Sequence, residues 1–320
     1  MTFSDLPLFS KALLNREAHL RNFETNKRTL FRKKKSRHLV IWKGKPLFIF
    51  KNQKPILFLL NNVSKIFEGL QSTFLGELNG YHIFLWDISS STEVKGSEEL
   101  IGTFNDTERN SHAGLPSGSY FCDLRTLLPF LSEVDANICA SAKGITEWQR
   151  LTKFCPQCGG NLIKESFGWE KSCDVCKKKQ FPRIDPVVIM LVKRGNKILL
   201  GRSYQWPKKM FSCLAGFVEP GESIEEAARR EVFEESGIQT RNIKYIANQP
   251  WPFPSSLMIG CTSEAKNVNL IIDHNELEEA IWVTREKVFR VLCGSDNSFF
   301  IARKGAIARF LIEKWVEGLI

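Results

Sequence analysis

No apolar stretch in these 320 residues is long enough to span a bilayer: the longest, residues 55–60 and 186–192, fall far short of the ~20 residues a spanning helix needs. A membrane-spanning class is therefore not expected. The first residues lack the apolar core of a signal peptide, and Asp5, Glu17 and Glu24 run against an acid-poor transit peptide. Gly318, Leu319 and Ile320 are not the Ser-Lys-Leu peroxisomal address, so a cytosolic location is the default expectation, with peroxisome and mitochondrion left open. Glycine (21) and proline (13) are too scarce, and hydrophobic residues at 43% too plentiful, for a collagenous, coiled-coil or disordered chain. No internal repeat is legible. Acid is also short: 45 Lys and Arg against 35 Asp and Glu leave a net +10, and residues 1–37 alone hold ten basic and three acidic side chains. The basic run at 27–37 would attract nucleic acid, anionic lipid or an import receptor, although a solvated surface loop is the plainer reading.

What is present suffices for two or three domains at ~100–200 residues each. Residues 1–150 read as a mixed α/β domain, with strand-like runs at 39–42, 47–50, 56–60 and 81–86, a long mobile loop rich in Ser, Thr, Gly and charge at 89–119, and a helical pattern from 124 to 151. Residues 183–320 alternate strands (187–192, 197–200, 243–247, 257–262, 280–283) with helices after Gly221, at 285–292 and at 302–316, an α/β pattern.

Between them, at 151–182, stand Cys155, Cys158, Cys173 and Cys176, two C-x2-C pairs separated by 14 residues. Two such knuckles complete a closed tetrahedral shell for structural Zn²⁺, and four protein ligands leave no position for a catalytic water. Gly159 and Gly160 suit the tight turn of the first knuckle. Cys122, Cys139, Cys213, Cys261 and Cys293 have no paired spacing and read as buried thiols. The ribbon and its flanking Lys177, Lys178 and Lys179 also suit a nucleic-acid-binding module.

The stretch from Gly216 to Ile238 carries most of the chemistry. Ser223 and Glu226 have capping-box spacing and Gly237 is a natural stop, which predicts a helix of about 13 residues. At ~100° per residue, Glu231, Glu234 and Glu235 fall on the side of Ile224, Ala227 and Ala228, opposite Glu225, Glu226, Arg229 and Ser236. Like charges turned inward are unfavourable without cations between them, and hard oxygen ligands at this spacing suit Mg²⁺ or Mn²⁺.

Gly216, Glu222, Arg230, Glu231, Val232, Glu234, Glu235, Gly237 and Ile238 match the box of the Nudix hydrolases without a mismatch. Agreement by chance is on the order of 10⁻⁸ per window. Beyond the box, Gln249, Pro250, Trp251, Pro252, Phe253, Pro254, Ser255 and Ser256 resemble the aromatic array of the NADH pyrophosphatase branch, with Asn248 where serine is usual. Its alternating prolines should hold the strand end extended and present Trp251 and Phe253 for stacking. The resemblance is weak over residues 1–120 and close from about 145 onward. It implies a Nudix mixed-sheet α/β/α sandwich with a four-cysteine zinc ribbon and an N-terminal mixed α/β domain. It also implies Mg²⁺ or Mn²⁺ on Glu231, Glu235, the Ala215 carbonyl and Glu276, with Glu234 close by as first choice of base. Phe181, where tyrosine is common, the aromatic array and Ala308 are implied near substrate, and Arg230 paired with Glu222 near the loop. The activity implied is hydrolysis of NADH, and less surely NAD⁺, to AMP and nicotinamide mononucleotide by a homodimer. Removal of an NAD cap from RNA is the alternative within that chemistry; a zinc-ribbon nucleic-acid binder with an inactive hydrolase domain is the alternative outside it.

Overall fold

The structure, a computed structural model, describes residues 6–22, 35–62 and 65–320. Most of the basic run, 27–34, lies outside them. The chain divides into two compact units: Lys11–Arg183 with Pro252–Ser255, and Ile184–Trp251 with Ser256–Ile320 and the described residues of Met1–Ser10.

In the first unit, β-branched and aromatic residues build a mixed sheet from β1 (Ser36–Trp42), β2 (Lys45–Lys51), β3 (Lys54–Leu57), β4 (Leu59–Leu60), β5 (Thr73–Leu78) and β6 (Tyr81–Asp87). A small hairpin, β7 (Val94–Lys95) with β8 (Ser111–His112), precedes β9 (Ser119–Phe121). The strand order is β3-β2-β1-β6-β5, with β4 beside β1 and β9 beside β2, and β1 runs parallel to β6. The two faces of β1 alternate as a pleat requires. Leu39 and Ile41 pack with Ile138, Cys139, Ala142, Ile145 and Trp148, whereas Val40 and Trp42 pack with Phe67, Ile88 and Leu115.

Two expectations change here. The helical pattern breaks at Pro129 into α1 (Leu124–Leu127), a 3-10 turn over Leu128–Phe130 and α2 (Glu133–Leu151). Segment 89–119 is packed rather than loose: Val94, Ile101 and Leu115 cover the second face of the sheet. It is also anchored by charge. Lys45, 1% exposed, donates to Asp106 Oδ1 at 2.7 Å and Asn110 Oδ1 at 3.0 Å, both partners being buried too.

The cysteine segment, expected as its own domain, belongs to this unit. Its strands β10 (Leu162–Glu165), β11 (Glu170–Cys173) and β12 (Lys179–Gln180) form an antiparallel sheet. Lys171 Nζ donates to the Gln149 carbonyl at 2.7 Å, Gln149 Nε2 donates to the Gly168 carbonyl at 2.8 Å, and Trp169 Nε1 to the Phe74 carbonyl at 2.6 Å.

The second unit contains β13 (Asp185–Arg194), β14 (Lys197–Arg202), β15 (Met210–Phe211), β16 (Leu214–Phe217), α3 (Ile224–Ser236), β17 (Thr240–Trp251), β18 (Ser256–Ala265), β19 (Glu279–Thr284), α4 (Arg285–Leu292), β20 (Phe300–Ile301) and α5 (Ile307–Val316). The order is β17-β18-β13-β14-β19, with β16 beside β13, and β13 is parallel to β18. Side chains of β13 alternate between two cores. Ile189 and Leu191 join Val288 of α4 and Leu311, Ile312 and Trp315 of α5; Val188, Met190 and Val192 join Ala227, Ala228 and Val232 of α3. That is the expected α/β/α sandwich. Among the described residues no helix is long and apolar enough to cross a membrane.

The two units share one strand plan. In each, a central strand (β1, β13) has an antiparallel hairpin partner (β2, β14), which also pairs antiparallel with a strand much later in the chain (β9, β19). On its other side the central strand has a parallel neighbour (β6, β18) with its own antiparallel partner (β5, β17), and a short strand (β4, β16) also pairs with it. A structural repeat therefore exists where the sequence displays none.

Candidate active site

The acids of the box are presented by α3 as its local sequence dictates. The Ser223 hydroxyl accepts from Glu226 N at 3.2 Å, and Gly237 ends the helix in the left-handed region at φ 69°. The capping box is only half made, because the Glu226 carboxylate goes to Arg229. Oxygens of Glu231, Glu235 and Glu276 lie within 4.8 Å of one another. Glu276 is brought in by a loop tied to the end of α3, with Asp273 N donating to the Glu235 carbonyl at 3.1 Å and Leu277 N to the Asp273 carbonyl at 3.0 Å. The neighbouring strand must be bare. Gly216 pairs with Val188, and a Cβ there would stand 1.8 Å from the Glu231 carboxyl carbon.

Electrostatically the cluster is unbalanced. Burial first, then the charges of Glu231 and Glu276, push the Glu235 carboxyl up to about 8, against a backbone hydrogen bond from Ala215. Burial likewise raises Glu231, opposed by Arg230. Glu235 Oε2 is buried without a hydrogen-bond partner. Three converging carboxylates, one with an orphaned oxygen, are the donor set a hard divalent cation requires.

Arg230 does more than the sequence suggested. Its Nε and Nη2 donate to Glu222 at 2.6 and 2.9 Å, Nη2 also donates to the Phe217 carbonyl at 2.9 Å, and Nη1 donates to Glu231 at 2.9 Å and Glu234 at 3.0 Å. The guanidinium holds the Glu222 carboxyl down at about 2. One cation thus ties the loop before α3 to the metal-type cluster; the adjacency of Arg230 and Glu231 was the available signal.

Several expected positions differ. Glu234 is outside the cluster, its side chain 56% exposed and drawn to Arg230. At ~100° per residue it lies ~60° to one side of Glu231, whereas Glu235 lies ~40° to the other, enough to turn it to solvent. Ser236, expected on the solvated side, is fully buried and donates to the Val232 carbonyl. The proline-rich array is an extended strand end only as far as Trp251: Pro250 and Trp251 finish β17, 252–255 turn, and Ser256 begins β18. Phe253, with Pro252, Pro254 and Ser255, belongs to the first unit, where Arg125 and Lys143 stand 5.0 and 5.4 Å from its ring centre. Phe181 is in that unit also, and 62% exposed. Gln249 is wholly buried and engaged within the protein: Nε2 donates to the Leu8 and Gly305 carbonyls at 2.6 and 2.8 Å, and Oε1 accepts from Ile307 N at 2.7 Å. Its amide is therefore not available to a substrate. Ala308 is core, 4% exposed. Cys293 is exposed at the end of α4, unlike the other four unpaired cysteines.

The four ribbon sulfurs converge within 4.8 Å, with Cys155 and Cys176 3.6 Å apart and Cys158 and Cys173 3.4 Å apart. A tetrahedron with Zn–S near ~2.3 Å sets sulfurs roughly 3.8 Å apart, so the donor set fits. Gly159 takes φ 73°, and a Cβ on Gly160 would lie 2.8 Å from Cys173 Sγ.

Comparison with known proteins agrees with this geometry. Residues 182–300 match the family model of the NUDIX domain, and residues 35–148 match that of the NADH pyrophosphatase-like rudimentary NUDIX domain. The NAD-capped RNA hydrolase NUDT12 of Homo sapiens is 46% identical over 198 residues, covering 58% of this chain and 43% of that protein. The NAD-capped RNA hydrolase of Schizosaccharomyces pombe is 39% identical over 221 residues, covering 62% of this chain and 56% of that protein. The mitochondrial NAD(P)H pyrophosphatase NUDT13 of Mus musculus is 37% identical over 227 residues, covering 65% and 64% respectively. The chain thus spans about two fifths to two thirds of the length of these relatives. With an intact glutamate box on one unit and the rudimentary domain on the other, the chain carries a domain of the Nudix hydrolases at 182–300 and an NADH pyrophosphatase-like rudimentary NUDIX domain at 35–148.

Proposed function

We propose that the protein hydrolyses the pyrophosphate bond of NADH and related dinucleotides, giving AMP and, from NADH, reduced nicotinamide mononucleotide. The observation that carries this reading is the convergence of Glu231, Glu235 and Glu276 within 4.8 Å, with Glu235 Oε2 buried and unpartnered. Glu231, Glu235, Glu276 and the Ala215 carbonyl would hold Mg²⁺ or Mn²⁺. Such a cation neutralises charge on the pyrophosphate and acidifies an attacking water. The protein's own contribution is to hold these acids together in a buried place that favours their protonated forms until a cation offsets it, with Arg230 donating to Glu231. Trp251, half-buried at the end of β17, offers an apolar face to a base, and stacking of that kind is worth ~1–3 kcal/mol.

Removal of an NAD cap from RNA is the second reading, favoured by the names of the human and fission-yeast relatives. Zn²⁺ is the ion proposed for the four cysteines. A homodimer rests on the resemblance alone. Purified protein with Mg²⁺ or Mn²⁺ should release AMP from NADH when tested beside NAD⁺, diadenosine polyphosphate and NAD-capped RNA. Absence of cleavage of every one of these would overturn the proposal, and turnover of the capped RNA alone, read as nicotinamide mononucleotide released and a 5′-monophosphate left on the RNA, would favour the second reading.

A further inference from the structure

The segment at 6–10 lies far from β17 in sequence yet is fastened to its end. Gln249 Nε2 donates to the Leu8 carbonyl at 2.6 Å, and Ser10 Oγ donates to the Asn248 carbonyl at 2.5 Å. Within the segment, Ser10 N donates to the Pro7 carbonyl at 3.2 Å and closes a turn. These bonds hold Phe9 at φ 72°, a left-handed conformation that a bulky aromatic residue adopts only where its surroundings over-determine it. The ring so placed is 3% exposed, yet it joins neither of the two apolar clusters that sandwich the sheet. It meets Trp251 instead, centroid to centroid at 6.5 Å and an interplanar angle of 61°, an edge-to-face contact.

The same Gln249 that grips Leu8 also accepts from Ile307 N, the first amide of α5, whose N-cap residue Ala306 supplies no side-chain cap. Gln249 is therefore the joint at which the 6–10 segment, the end of β17 and the start of α5 are locked together. A side chain committed at both ends of its amide leaves the ring beside it little freedom. Trp251 is thus the half-buried end of a braced assembly, with Phe9 as the part that contacts its ring.

We infer that Phe9 is a positioning residue that fixes the plane of Trp251 for stacking on the base of a dinucleotide substrate. The inference rests on the proposed role of Trp251. Phe9 touches no reacting atom; it acts by limiting the orientations from which Trp251 must be recruited when substrate arrives, and so it should act on binding more than on chemistry.

The test is a double-mutant cycle in the full-length protein, reading KM and kcat for NADH with Mg²⁺ in wild type, Phe9→Leu, Trp251→Ala and the double variant. Leucine keeps most of the buried volume but removes the ring edge, and thermal melts identify any variant that has lost its fold. If a melt fails, Phe9→Tyr, which keeps the ring, supplies the comparison: it should bind as wild type does. Expected are a rise in KM for Phe9→Leu of roughly 2- to 10-fold, the range set by a single aromatic pair, a larger rise for Trp251→Ala, and no further rise when Phe9→Leu is added to it. A KM that rises with Trp251→Ala but not with Phe9→Leu, or losses that simply multiply in the double variant, would overturn the inference while leaving the stacking role of Trp251 standing. An unchanged KM in Trp251→Ala would remove that stacking role and the inference with it.

Discussion

Glu235 is a carboxyl that the fold buries to 4% exposure beside two other acids, and its protonation is linked to stability. Its folded value of about 8 stands above the ordinary 4.5, so the folded state holds the proton more tightly than the unfolded chain. Below about 4.5 both states are protonated and folding bears no penalty from this group. Between 4.5 and 8 the unfolded chain releases its proton while the folded protein keeps it, so the metal-free protein should lose stability as pH climbs through that window. Above 8 the loss is complete. Glu235→Gln, neutral at every pH, should flatten this slope, and saturating Mg²⁺ or Mn²⁺ should offset it in the wild type. Thermal melts from pH 4.5 to 8.5, with and without added cation, check this; a metal-free variant as steeply pH-dependent as wild type would show that Glu235 is not the source. Glu222 shows the opposite case, since a carboxyl held at about 2 by Arg230 contributes stability that is lost only in strong acid, outside this window.

At the scale of elements, the ribbon and α3 show how far local spacing reaches. The four ribbon sulfurs converge in a unit whose hydrogen bonds run from Lys171 and Trp169 into α2 and β5. Losing the ion should therefore loosen more than the ribbon. Cys173→Ser is expected to release tightly bound zinc, measurable at about one per chain in wild type, and to lower the melting temperature by several degrees; metal content and melting temperature both unchanged would refute the ribbon assignment. The helix α3 was legible almost to the residue, because its cap, its Gly237 stop and its apolar stripe are all local signals. Ser236 is buried against ideal periodicity because the 271–277 loop lies along one side of the helix end, where Ile271 N donates to the Ser236 carbonyl at 2.9 Å, whereas Glu234 stands at the edge of the inward stripe by its helical angle alone. The array at 249–256 was legible as a motif and not as a shape: its prolines suggested extension, whereas the chain reverses between Trp251 and Ser256. Gln249 could not be read as a clamp, since its partners Leu8, Gly305 and Ile307 lie 241, 56 and 58 residues away. Strands β5, β9 and β16 escaped notice for lack of a strong alternating run of their own.

Over the whole molecule, one strand plan is used twice and carries acids once. Between β16 and β17 the second unit places the 13 residues of α3; between β4 and β5 the first has, among the described residues, only a 3-10 turn at Lys65–Phe67. No sequence repeat betrays this, because a shared sheet can be kept by many combinations of apolar residues, while a metal-binding helix tolerates few. On the proposed function, cation-dependent hydrolysis would belong to the second unit, where Glu231, Glu235 and Glu276 converge. The most direct test is NADH cleavage by wild type and Glu235→Gln at saturating Mg²⁺ or Mn²⁺, with products separated and the fold checked by thermal melting. Wild type should yield AMP and reduced nicotinamide mononucleotide in equal amounts, and Glu235→Gln should turn over ~10² to 10³-fold more slowly while remaining folded. An undiminished rate in Glu235→Gln would contradict the assignment of the cluster as the catalytic centre.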